Sequence, residues 1–128
     1  DGATVRHSLL SDGCLVEEGA VIENSVIGLR CRIGRDVVIR NSVILGNDFF
    51  ETADDVAANT AKGLPRMGIG AGTVIEGAII DKNVRIGRGV RIVNDHGCET
   101  SADSDRFTVR DGIAVVPKDG IVPDGWRP

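Results

Sequence analysis

Aliphatic residues recur at every sixth position over the first 48 residues, and no other feature restricts the fold as much. Cut into sixes from Asp1, the chain reads DGATVR, HSLLSD, GCLVEE, GAVIEN, SVIGLR, CRIGRD, VVIRNS and VILGND. The third place holds Ala3, Leu9, Leu15, Val21, Ile27, Ile33, Ile39 and Leu45, all apolar. With 41% of residues hydrophobic, eight successive matches arise by chance on the order of once in a thousand trials per register. The first place is mostly small, as in Gly13, Gly19, Ser25 and Cys31, with Val37 and Val43 later. Places one and three share one face of a strand, so a large aliphatic and a smaller neighbour are expected to point inward together. Glu17, Glu18, Arg35, Asp36, Asn47 and Asp48 fall at the fifth and sixth places, which suits exposed turns. A period of six matches no coherent helical stripe. A short strand plus a corner makes one side of a triangular coil, and each coil needs its neighbours to bury its inward face.

The repeat pauses after Asp48 and resumes in a shifted phase. GTVIEG, AIIDKN, VRIGRG and VRIVND place Val74, Ile80, Ile86 and Ile92 inward, and IAVVPK with DGIVPD adds Val115 and Ile121. The interruptions, 49–68 and 96–110, read as excursions from the coil. The first is expected to hold a short helix, with Thr52 as N-cap and Asp54 and Asp55 at the positive end of its dipole. Ala53, Val56, Ala57, Ala58 and Ala61 supply propensity, and Lys62–Gly63 a C-terminal stop. The second excursion, His96 to Arg110, is rich in Asp and Ser and reads as a loop.

Composition agrees with a narrow interior. Aromatics are 3% with no Tyr, while Gly numbers 17, so Val, Ile, Leu and Ala must fill the core. The 128 residues fit one domain, 1–128. A net charge of −4 argues against a nucleic-acid partner. No apolar run approaches the roughly 18 residues of a bilayer span, and no secretory leader is evident, so no membrane partner is expected. The chain starts at Asp1 without Met, which reads as a fragment of something longer. Cys14, Cys31 and Cys98 form no CxxC pair and suggest reduced thiols in a reducing compartment rather than a zinc site.

NSVIGLRCRIG (24–34), ILGNDFFET (44–52), GIGAGTVIEGAIIDKNVRIG (68–87) and GIAVVPKDGIVPDG (112–125) together resemble the C-terminal β-helix of ADP-glucose pyrophosphorylases, glucose-1-phosphate adenylyltransferases. The likeness is closest to the plant and cyanobacterial branch. Hexads alone are shared with many acyltransferases and sugar-nucleotide transferases; DFFET followed by AIIDKNVRIG is more specific. Where the family often has Tyr-Tyr before Glu-Thr, this chain has Phe49-Phe50. The fold expected is all-β, a left-handed parallel β-helix of hexapeptide repeats with a short helical insertion.

The resemblance implies a full-length enzyme that makes ADP-glucose and pyrophosphate from ATP and glucose 1-phosphate, for glycogen or starch synthesis. Catalysis, with Mg2+, would lie in an N-terminal domain absent from this chain. The chain alone is therefore expected to be inactive and to need no cofactor, metal or catalytic residue of its own. Its expected partners are its own N-terminal catalytic domain, other subunits of a homo- or hetero-oligomer (usually a tetramer), and a phosphorylated small-molecule effector. The implied compartment is the cytoplasm, or a plastid in a plant. Lys82 and Lys118 match the family's activator-binding lysines, where 3-phosphoglycerate is bound in the plant-like branch. An ammonium at a strand corner can meet a phosphate dianion, and Arg85, Arg88 or Arg110 could add to the anion field.

Other constellations have plainer readings. His7 and His96 invite an acyltransferase general base, the alternative function, but no coenzyme A pattern accompanies them. A zinc carbonic anhydrase of this fold needs three His ligands, and the chain has two. GIGAG (68–72) lacks the strand, helix and acidic residue of a dinucleotide loop and reads instead as corner glycines. Arg30, Arg32, Arg35 and Arg40 read first as a solvated face. Trp126 is expected to cap an open end of the coil.

Overall fold

The computed structural model describes residues 2–93, 108–110 and 112–126. The chain runs through β1 (Thr4–Arg6), β2 (Leu9–Leu10), β3 (Leu15–Val16), β4 (Val21–Glu23), β5 (Val26–Leu29) and β6 (Arg32–Ile33). It continues through β7 (Val38–Arg40), β8 (Val43–Gly46), helix α1 (Ala53–Ala61), β9 (Gly68–Ile69), β10 (Val74–Glu76) and β11 (Ala78–Ile80). The remainder is β12 (Arg85–Ile86), β13 (Arg91–Ile92), β14 (Thr108–Arg110), β15 (Ile113–Val116) and β16 (Ile121–Val122). Each turn of the chain lays one strand on each of three sides, β14 standing apart from this order. The three sheets run β1-β4-β7-β10-β13, β2-β5-β8-β11-β15 and β3-β6-β9-β12-β16, and all of these pairings are parallel. This is a three-sided parallel β-helix.

Three aliphatic columns fill its axis. The first is Val5, Ile22, Ile39, Ile75 and Ile92. The second is Leu10, Ile27, Ile44, Ile80 and Val116, and the third is Val16, Ile33, Ile69, Ile86 and Val122. Away from the first coil the large members are at most 3% exposed. Ala20, Ser25, Cys31, Val37, Ser42 and Ala78 stand beside them as the smaller inward residues. Each fully buried Ile contributes about 1.5–3 kcal/mol relative to leaving it in water.

The strict six-residue grid is corrected at half of its points. Ile27, Ile33, Ile39, Ile80, Ile86 and Ile92 face inward as expected, and Ala3 packs on the core. Leu9, Leu15, Val21, Leu45, Val74, Val115 and Ile121 do not; the next residue in chain order (the preceding one, Ile44, beside Leu45) points inward instead. Leu9 is 70% and Leu15 59% exposed, whereas Ile22, Ile75, Val116 and Val122 are fully buried. The reason is that one turn spans 17 residues, not 18, as the Ser8–Ser25–Ser42 spacing shows. One side of each turn has five residues, and a slip of one reverses the face of every side chain beyond it.

That short side is built from a single left-handed residue and a serine. His7, Asn24 and Asn41 sit at φ 48, 52 and 51°, with Gly77 at 62° in the next coil. Each following serine carries a hydrogen bond between coils. The Ser25 N–H donates to Ser8 Oγ, Ser42 N–H to Ser25 Oγ and Ala78 N–H to Ser42 Oγ, all at 3.1 Å. Buried Ser25 and Ser42 are thereby satisfied, their own hydroxyls donating to the carbonyls of Glu23 and Arg40.

The first excursion holds α1 as expected. Thr52 caps it in a reciprocal box: Asp55 N–H donates to Thr52 Oγ1 and Thr52 N–H to Asp55 Oδ2, both at 3.1 Å. At the other end Gly63 N–H donates to Thr60 O and Leu64 N–H to Asn59 O, the paired stop that a left-handed Gly63 (φ 76°) permits. No α1 residue is buried, so the helix rests on its caps and on its tether to the coil. The second excursion is corrected where it can be described: Thr108–Arg110 form β14, antiparallel to β15, rather than loop. His96, Cys98 and the rest of that segment lie outside the described residues. Trp126 packs against the core at the end of the stack, beyond β16.

Candidate functional site

The corner between the second and third sheets collects the chain's sharpest candidates. Lys82 and Lys118 precede Asn83 and Asp119, left-handed residues at φ 59 and 61° that turn the chain there. The Asp119 N–H donates to Lys82 O at 2.9 Å, and Asn83 N–H to Gly46 O at 3.1 Å. Both lysines thus occupy the same place in consecutive coils, as one strand spacing in a parallel ladder requires.

Asp48 lies in the coil below. Its Oδ1 is 3.4 Å from Lys82 Nζ, with both side chains about half exposed. Asn83 Nδ2 donates to Asp48 Oδ2, and Asp48 N–H donates to Asn83 Oδ1, each at 2.9 Å. The Asn83 hydrogen bond and then the charges of Lys82 and Lys118 hold the Asp48 pKa below its ordinary value. The corner therefore carries two exposed lysines with Asp48 beside them and with Asp81, whose Oδ1 accepts the Lys82 N–H at 2.7 Å, and Asp119 adjacent in the chain, so its charge is mixed.

Of the expected helpers, Arg85 is corrected. Its Nη1 donates to Glu51 Oε2 at 2.8 Å and to Pro65 O at 3.1 Å. Glu51 is 5% exposed at its side chain, Arg85 16%. Glu51 also accepts from Met67 N–H at 2.7 Å and Asn59 Nδ2 at 3.2 Å. Burial alone would raise the Glu51 pKa, but the Met67 N–H and the Arg85 guanidinium more than reverse this and lower it. Arg85 is spent on tying the excursion to the coil. Glu51 lies within DFFET, but its place in the sequence carries no sign of this role, since the pairing spans 34 residues.

Arg88 stands at a different corner, where Gly125 N–H donates to its carbonyl, so it does not join Lys82. Arg110 is on β14. The four arginines of residues 30–40 are also corrected: they form no single face. Arg30 turns the lysine corner, with Nε donating to Asn47 O at 3.0 Å. Arg32 lies half-buried on the outer side of β6, Arg35 turns the next corner, and Arg40 pairs with Glu23 at 3.2 Å. Residues two to five apart wind around a triangle rather than along one side of it.

The other described candidates occupy plain structural positions. His7 is an exposed corner residue. In GIGAG only Gly72 turns a corner; Gly68 opens β9, and a Cβ on Gly70 would lie 2.4 Å from Gly87 O. Cys14 and Cys31 are free thiols in neighbouring coils. Burial, then the neighbouring Cys14, pushes the Cys31 pKa up to about 12. Among the described residues no three His, Cys, Asp or Glu side chains are gathered as metal ligands, and no helix is long and apolar enough to cross a membrane.

One family model matches residues 1–126, nearly the whole chain; its description is the GLGC left-handed parallel beta-helix domain. The left hand of the coil is that of the family.

Proposed function

The chain belongs to the GLGC left-handed parallel β-helix domains, the C-terminal domains of glucose-1-phosphate adenylyltransferases, and from this we propose that it is the regulatory and assembly module of such an enzyme. The reaction, ATP and glucose 1-phosphate to ADP-glucose and pyrophosphate, is carried by an N-terminal catalytic domain outside this chain, together with its Mg2+. The module contributes effector binding and subunit contacts in an oligomer. The plant and cyanobacterial branch, and with it glycogen or starch synthesis in a cytoplasm or plastid, is the reading that the resemblance favours.

The effector site in this reading is the Lys82–Lys118 corner. The observation that carries it is the stacking of two exposed lysines one coil apart, with Asp48 held by Lys82. A phosphate dianion between them competes with Asp48 for Lys82 and gains charge-assisted hydrogen bonds. Asp48 would then act as the built-in occupant that an effector displaces.

The test is an NMR titration of the chain with 3-phosphoglycerate. Saturable shifts are expected at Lys82, Asn83, Lys118 and Asp119, and Lys118→Gln should weaken binding about tenfold, the worth of one charge-assisted contact. Intact spectra that do not move at millimolar ligand would refute the site. The purified chain should form no ADP-glucose.

A further inference from the structure

We propose a second anion site, for a small organic phosphate, in the groove between the end of the helical excursion and the outer face of the third sheet. It does not rest on the Lys82–Lys118 reading, since the two lie at different corners. The groove encloses about 730 Å³, room for a ligand of sugar-phosphate to nucleotide size.

Three arginines line it: Arg32 from β6, Arg66 from the returning excursion, and Arg88 from the corner after β12. Arg32 is 16% exposed at its side chain and is fixed by Nε donating to Met67 O at 3.3 Å. Its carboxylate partner is loose, with Glu17 Oε1 4.0 Å from Nη1 and itself 44% exposed. Among the described residues Arg66 makes no ion pair, and neither does the Arg88 side chain. Burial and then the nearby Arg66 charge lower the Arg32 pKa, and the carboxylates of Glu17 and Glu51 only partly offset them. The other carboxylate on the wall, Asp124, is turned to the backbone, accepting from Arg88 N–H at 2.8 Å. In a chain of net charge −4 this is a local positive excess.

The floor is backbone without side chains, because close stacking of the coils leaves no room for a Cβ there. Gly34, Gly70 and Gly87 stack in consecutive coils, where a Cβ on Gly34 would meet Ala71 N at 2.8 Å and one on Gly70 would meet Gly87 O at 2.4 Å. Leu64, Pro65 and Pro123 line the sides. A phosphate dianion fits between Arg32 and Arg66, bidentate guanidinium chemistry being suited to it. The uncharged body of the ligand then lies along the proline and leucine wall.

Phenyl phosphate supplies both parts as a probe, with inorganic phosphate and phenol as its halves. In low salt it should shift the Gly34, Gly70, Gly87 and Arg88 amides saturably, bind more tightly than inorganic phosphate, and do so where phenol does not. Arg66→Gln, on the excursion and outside the core, should weaken binding about tenfold or more. Glu17→Gln removes the competing carboxylate and should tighten it, a gain that unfolding cannot mimic. Lys118→Gln should leave these shifts unchanged. Shifts confined to Lys82 and Lys118, equal binding of phenol, or an Arg66→Gln variant that binds like the parent would each overturn the site.

Discussion

Glu51 is a nearly buried carboxylate, and both of its oxygens are engaged. One oxygen takes the Met67 N–H; the other takes Arg85 and Asn59. Glu51→Gln keeps the shape but leaves the Arg85 charge without its counterion, and should cost about 2–3 kcal/mol in chemical denaturation. The pH dependence follows from the sign of the shift. The folded pKa of Glu51 lies below its ordinary value, so the unfolded chain binds the proton first as acid is added. Its stabilisation is fully present above roughly pH 5 and fades as pH falls through the depressed folded value, the unfolded glutamate titrating near 4.3. Asp48 adds in the same direction with less weight, because it is half exposed. Glu51→Gln should therefore flatten the acid limb of a stability–pH curve, and an unchanged limb would mean that the tether is not formed. Cysteine behaviour separates in the opposite sense. Since Cys31 is pushed up to about 12, it should stay unmodified by iodoacetamide at pH 8 while Cys14, which is partly exposed, is alkylated. Mass mapping of the labelled peptides reads this directly.

A strand of two to four residues has little stability alone, and here each gains it from the coils above and below. Ile39 shows the scale: it pairs with Ile22 on one side and Ile75 on the other and is fully buried. Ile39→Ala should cost about 2–5 kcal/mol, with no shift in coil register, measured by urea unfolding. Thr52→Ala, by contrast, removes one cap of an unburied helix and should loosen α1 by about 1 kcal/mol, visible as faster amide exchange in 53–61 with the midpoint of global unfolding unchanged. The same contrast explains what could be read in advance. Ile27, Ile33 and Ile39 were legible because two six-residue sides follow one another there. Leu9 against Leu10, or Val74 against Ile75, was not, since both neighbours are aliphatic and only the coil's pairing decides which points inward. The five-residue side had a signature, Asn-Ser at 24–25 and 41–42 with His-Ser at 7–8, that marks the single-residue corner. Thr52, Asp55 and Gly63 were legible because caps are local chemistry. The Glu51–Arg85 tether was not, because it joins residues that only closure of the stack brings together. Lys82 and Lys118 came from resemblance, and their stacking from the fold.

At the scale of the molecule the stack divides labour between axis and corners. The axis is aliphatic and interchangeable from coil to coil, so it carries almost no chemical information. The corners carry charge: the lysine corner with Asp48, the arginine groove, and an alternating row of Arg6, Glu23, Arg40 and Glu76 along the edge of the first sheet. Because each coil touches only its neighbours, stability should be graded along the axis rather than uniform. In the first coil Val5 and Leu10 are each 42% exposed although they belong to the inward columns, whereas Ile39, Ile75 and Ile86 are closed over on both sides. Native-state hydrogen exchange should find the slowest amides in β7, β10 and β12 and the fastest among strand amides in β1, β2 and β3, where β1–β3 are the edge strands of all three sheets. Uniform protection from β1 to β12 would contradict this, for it would mean that the coils unfold as one unit and that the ends are not the weak points of the stack. A gradient has a functional consequence. An anion bridging Lys82 and Lys118 ties two coils that already pair β11 with β15, so binding should slow exchange in those strands while leaving β1–β3 unaltered. Protection that instead rose equally throughout would place the effect on the whole domain and not on the lysine corner.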